Sequence, residues 1–77
     1  MKVLFFGQTA EIVGNREFEI AMPQSKKANE VFNEILEKFP ALKSNKLLFA
    51  INQEYSKGDE ILSDGDELAV FTAVSGG

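Results

Sequence analysis

The 77-residue chain has no cysteine and no histidine. Those absences exclude disulfides, thiolate nucleophiles, Cys/His zinc sites and imidazole acid–base chemistry within the chain. Long apolar runs are missing too: "VLFF" and "AVF" are far too short to span a bilayer, and "MK" with a four-residue run is too short for a signal peptide. A cytoplasmic location without a membrane partner is the expectation. Positive charge is scarce from Asn52 onward, where Lys57 stands alone against Glu54, Asp59, Glu60, Asp64, Asp66 and Glu67. With a net charge of −4, nucleic acid is not an expected partner, and a basic protein surface suits the acidic half better.

What is present is an ordinary globular composition, 44% apolar with seven phenylalanines and 26% charged. The length fits one domain, residues 1–77. A domain this small buries only roughly 60–65% of its unfolded surface and here has no staples, so core packing must hold it.

"KVLFF" (2–6) reads as a strand closed by Gly7, and "REFEIA" (16–21) alternates Phe18 and Ile20 against Glu17 and Glu19 as a half-buried strand does. Together they form a hairpin with a long connection, in which "AEIV" is expected to make a helical turn. Ala28, Val31, Phe32, Ile35, Leu36 and Phe39 recur at helical spacing. They predict one amphipathic helix over about 25–38, capped by Ser25 and stopped by Pro40. "LLFAI" (47–51) is the next strand, "NQEYSKGDEIL" reads as turns with a short edge segment, and "ELAVFTAV" (67–74) closes the sheet. Asp64, Asp66 and Glu67 are read as a turn rather than as acid–base or cation-binding groups. Gly65 is expected at positive φ, with Asp66 bonded to the local backbone.

One helix covers only one face of a sheet. If Val3, Phe5, Leu68 and Val70 face it, then Leu4, Phe6, Ala69 and Phe71 face away. This predicts an apolar patch of Leu4, Phe6 and Phe71, with Tyr55 nearby, of the kind that marks protein interfaces. The patch lies beside a chain end that reads "TAVSGG" (72–77).

With "KVLFFGQTAEIVG", "LLFAINQEY" and above all "LSDGDELAVFTAVSGG", the chain resembles the β-grasp sulfur carriers, most closely the small subunits of molybdopterin synthase. The resemblance implies an α+β, ubiquitin-like β-grasp fold: a mixed four- to five-stranded sheet with one main helix on one face and residues 73–77 as a flexible Gly-Gly tail. It implies that Gly77 carries an acyl-adenylate and then a thiocarboxylate, that Gly76 allows passage through a narrow channel, and that Phe6, Tyr55, Phe71, Val74 and Ser75 contact partners. Those partners would be the synthase large subunit, a ubiquitin-activating-type adenylyltransferase that uses ATP, and a sulfur donor protein. Two small and two large subunits would assemble, with the large subunit supplying the catalytic side chains. No cofactor or metal would be bound by the chain itself. Two positions depart from the family pattern: Thr72-Ala73 replaces a common proline pair, and Ala10 precedes Glu11 where arginine is common. A thiamine-pathway sulfur carrier, a ubiquitin-like modifier conjugated through the same glycine, and a plain interaction domain stay open as alternatives.

Overall fold

A computed structural model describes residues 1–73. The expectations that fall on Val74, Ser75, Gly76 and Gly77 lie outside the described residues. Strand β1 (Lys2–Phe5) leads through helix α1 (Gln8–Val13) into β2 (Glu17–Glu19), so the expected helical turn is a six-residue helix. It ends where Gly14, at φ 84°, donates its N–H to the Ala10 carbonyl at 2.8 Å, a left-handed position that suits glycine.

The main helix, α2, begins at Ala28 and runs to Lys38, not from residue 25. Lys26–Lys27 instead form a short strand, β3, antiparallel to β6 (Ile61–Leu62). Ser25 is therefore no cap; its hydroxyl lies 3.0 Å from that of Ser63. The first helical N–H groups are satisfied by main chain, Ala28 donating to Glu60 at 2.7 Å and Asn29 to Gly58 at 3.0 Å. Beyond Phe39, Pro40 stops α2 as expected and opens a 3₁₀ turn, Pro40–Ser44, that buries Leu42.

The remaining strands are β4 (Leu47–Ile51), β5 (Glu54–Tyr55) and β7 (Glu67–Thr72). The five-stranded sheet has the order β2-β1-β7-β4-β5, with β1 and β7 parallel and every other pair antiparallel. The expected mixed sheet is therefore present. Its inner face and α2 form the core. Val3, Phe5, Leu68 and Val70 are buried from the strands, and Ala28, Val31, Phe32 and Ile35 from the helix. Phe32 stacks on Phe49 at 3.8 Å, while Phe39 takes Phe5 and Phe18 edge-on at 5.6 and 5.5 Å.

Ile35 is 1% exposed, so truncating it to alanine leaves a cavity costing about 2–5 kcal/mol. Whole domains of this length have roughly 4–12 kcal/mol to lose. Urea denaturation of Ile35→Ala is expected to show a midpoint shift of that order at unchanged slope.

Two turns are held by carboxylates. Glu60 accepts from the Ser56 hydroxyl at 2.7 Å and from the N–H groups of Lys57 and Gly58 at 2.8 and 3.0 Å. The Ser56 hydroxyl, then the Lys57 N–H, pull its pKa down from 4.5 to about 2. Since this loop supplies the carbonyls that cap α2, the charge on Glu60 supports the helix start. A lowered folded-state pKa stabilises above the unfolded value, and that stabilisation fades as pH falls from about 4.5 toward about 2. Glu60→Gln is expected to be less stable than the parent near neutrality, with the difference shrinking across that interval in a urea series against pH.

The second turn joins β6 to β7. Asp66 accepts from the Ser63 N–H at 2.8 Å, as the turn reading expects, and from the Asn52 side-chain amide at 3.0 Å. The amide, then the Ser63 N–H, lower its pKa. Gly65, however, is not at positive φ. The Asp66 N–H bonds the Ser63 carbonyl at 3.0 Å, closing a four-residue turn of a kind that needs no left-handed position. Outside glycine, the positive φ values among the described residues are at Asn52 and Gln53, 48° and 72°, the two-residue link between β4 and β5.

Candidate functional site

Period-two alternation along β7 buries Leu68 and Val70 and turns Ala69 and Phe71 to the opposite face. Cross-strand register then decides what lies beside them. Leu4 pairs with Ala69, Ala69 with Ala50, and Ala50 with Tyr55, which makes one row across four strands. The next row pairs Phe71 with Leu48. Phe6 adjoins it, its N–H donating to the Val70 carbonyl at 3.0 Å and extending the β1–β7 ladder by one step.

The Tyr55 and Phe71 rings lie 5.9 Å apart. Phe6 and Tyr55 are 51% and 72% exposed, which no folding argument requires of aromatic side chains. Leu4, Phe6, Tyr55 and Phe71 thus share one face, as the alternation predicts. Leu48 and Ala50 belong to it as well and escaped the sequence reading: the alternation in "LLFAI" groups the two, but only the register of β4 against β7 assigns their face. The two alanines flatten the middle of the face, and the larger side chains rise around them. Toward the opposite end the pattern turns charged, with Lys2 between Glu19 and Glu67. Apolar faces rimmed by charge are typical of surfaces that dock proteins.

At the Phe6 end the face meets a groove of about 690 Å³, lined by Leu4, Phe6, Gly7, Ala10, Glu11 and Arg16 among others. Thr9 anchors this corner from within: it is fully buried, and its hydroxyl shares its proton between the carbonyls of Phe6 at 2.7 Å and Val70 at 2.9 Å. The chain leaves the sheet at the same end. Thr72 pairs with Leu47, and the Ala73 N–H donates to the Lys46 carbonyl at 2.9 Å. The docking face and the base of the 74–77 segment are thereby parts of one central strand.

No cluster of acidic residues among the described residues is arranged to hold a metal ion, and no buried side-chain polar atom there lacks a partner. No described helix is long and apolar enough to cross a membrane. One further large apolar side chain, Ile61 on β6, is 59% exposed and was not anticipated.

A family model described as the ThiS family matches residues 3–77. The molybdopterin synthase sulfur carrier subunit of Homo sapiens is 42% identical, aligned over 100% of this chain and 93% of that protein. The subunit of the same name from Escherichia coli K12 is 39% identical over 100% and 99%. Among solved structures, small archaeal modifier protein 1 from Haloferax volcanii superposes with a TM-score of 0.84 at 26% identity, over 100% of this chain and 98% of that one.

Proposed function

The chain belongs to the ThiS family, and on that premise we propose that it is the sulfur carrier subunit of a molybdopterin synthase. The observation that carries this reading is the continuity of the apolar face with the strand that leads to the terminal glycines. Four residues, 74–77, follow Ala73, the last described position. Fully extended, they reach roughly 13–14 Å. Any active site that uses the terminal carboxylate must therefore sit against this end of the sheet, where Phe6 and Tyr55 are exposed and Leu4, Leu48 and Phe71 lie half-buried beside them.

The chemistry begins from a poor electrophile. The α-carboxylate of Gly77 is ionised at neutral pH and must be activated. In a ubiquitin-activating-type adenylyltransferase the carboxylate oxygen attacks the α-phosphorus of ATP, giving the acyl-adenylate and pyrophosphate. Sulfide supplied by a donor protein then attacks the acyl carbon, the C–O bond to AMP breaks, and the chain is left with a thiocarboxylate. Gly76 and Gly77, without Cβ atoms, suit a narrow channel. Docked on the large subunit, the thiocarboxylate donates its sulfur to the pyranopterin precursor. This chain supplies carriage and delivery rather than catalysis and binds no cofactor of its own; catalytic side chains come from the large subunit. Val74 and Ser75 contact that subunit on the way in.

Incubation with the adenylyltransferase, ATP and a sulfide donor is expected to raise the intact mass by the difference between one sulfur and one oxygen. An unchanged mass with a demonstrably active enzyme would overturn the reading. A second reading, conjugation of Gly77 to lysines of other proteins, is favoured by the likeness to small archaeal modifier protein 1. Isopeptide-linked adducts bearing the C-terminal Gly-Gly remnant in cell extracts would support it, and their absence would leave sulfur carriage as the sole use of the tail.

A further inference from the structure

The outermost strand on one side of the sheet is β2, and among the described residues its far edge has no neighbouring strand. Phe5 donates to the Arg16 carbonyl at 2.9 Å and Ile20 donates to the Met1 carbonyl at 3.0 Å, so residues 16, 18 and 20 turn their backbone groups toward β1. By the same alternation the N–H and C=O groups of Glu17 and Glu19 point away from the sheet. Alongside this edge, on the helix side, a groove of about 250 Å³ is lined by Phe18, Glu19, Ile20, Ala21, Glu34 and Lys38. Phe18 and Ile20 are half-buried in it, and the Lys38 ammonium lies 4.6 Å from the Phe18 ring centroid. The side chains of Glu17 and Glu19, on the other face of the strand, are 61% and 71% exposed.

We propose that the β2 edge is a second docking site, which takes an extended segment of a partner protein in which basic residues alternate with β-branched apolar ones. A strand added to this edge completes the unused hydrogen bonds of Glu17 and Glu19. Its residues on the helix side enter the groove beside Phe18 and Ile20, where apolar side chains fit. Its intervening residues fall opposite Glu17 and Glu19, where lysine or arginine is favoured and acidic residues are repelled. A second copy of this chain is a poor occupant, because two β2 strands would face glutamate with glutamate. The paired glutamates thus guard an open edge against self-pairing while selecting a basic partner. The edge and its groove lie apart from the proposed sulfur chemistry: β1 separates them from the strand bearing the tail, and the groove opens on the helix side, so that only Glu17, paired with Leu4, borders the apolar face.

The test is an NMR titration of the isotopically labelled full chain with an acetylated, amidated heptapeptide alternating lysine with valine and isoleucine. Chemical-shift changes are expected at residues 17–21 and 34–38. The Glu17→Lys/Glu19→Lys variant, altered only at exposed side chains, is expected to bind that peptide about ten-fold more weakly and to bind the glutamate-for-lysine version better than the parent does. A proline at the centre of the peptide is expected to abolish binding, since it removes a ladder donor. Shifts centred on Leu4 and Phe71 or on the acidic turns, an unaffected proline peptide, or no shift at millimolar peptide would each overturn the proposal.

Discussion

A chain lacking Gly77 is expected to take up no sulfur from an active adenylyltransferase and donor, and pterin conversion by the reconstituted synthase is expected to fall to background. Its urea midpoint is expected to stay that of the parent, because Gly77 has no side chain to give to the core. The loss is geometric. Removing one residue still leaves a glycine carboxylate, that of Gly76, but shortens the reach from Ala73 by roughly 3.3–3.6 Å. Misplacing a reacting group by about 1 Å already costs on the order of a hundred-fold in rate. Since β7 is pinned between β1 and β4, the domain has no slack with which to follow the missing residue. Intact mass spectrometry and single-turnover pterin conversion measure the two effects separately. Parent-like sulfur uptake by the shortened chain would mean that the terminal position is not the reactive one.

How far the sequence foretold this arrangement depends on the range of the interaction concerned. Alternation in "KVLFF" and "ELAVFT" sorted Val3, Phe5, Leu68 and Val70 from Leu4, Phe6, Ala69 and Phe71 because strand geometry is local and has a period of two. The α2 core face and the stop at Pro40 were legible for the same reason. The helix start was not. Ser25 has the chemistry of a cap, yet the pairing of Lys26–Lys27 with Ile61–Leu62 draws that segment into a strand, and carbonyls from Gly58 and Glu60 do the capping. A contact between residues more than thirty positions apart leaves no periodic trace. Gly65 misled similarly: Asp-Gly signals a turn, but which turn depends on the bond from Asp66 to Ser63. At the site, Phe6, Tyr55 and Phe71 could be assembled from alternation and the family resemblance, whereas Leu48 and Ala50 needed the register of β4 against β7. The chemistry proposed for Gly76 and Gly77 rests on the resemblance alone, since glycine carries no side chain from which to argue.

Two adjacent positions on β7 give the sharpest separation of folding from docking. Val70→Asp is expected to unfold the domain: the residue is 0% exposed, and an unpaired carboxylate buried there is one of the costliest changes a small core can receive. Phe71→Asp is expected to remain folded. Its side chain lies on the face away from α2, beside Leu48 and Tyr55, and the new carboxylate can reach water. The same carboxylate would be desolvated once a large subunit covers that face. Central aromatic anchors of protein interfaces typically contribute about 2–4 kcal/mol, so association should weaken by roughly thirty- to a thousand-fold. Calorimetric titration of the purified large subunit with Phe71→Asp, beside far-UV circular dichroism of both variants, checks the pair. A folded Phe71→Asp that binds as tightly as the parent would show that the apolar face is not what the large subunit covers. The groove beside Phe6 would then be the next surface to test, because it is the other exposed feature beside the base of the tail.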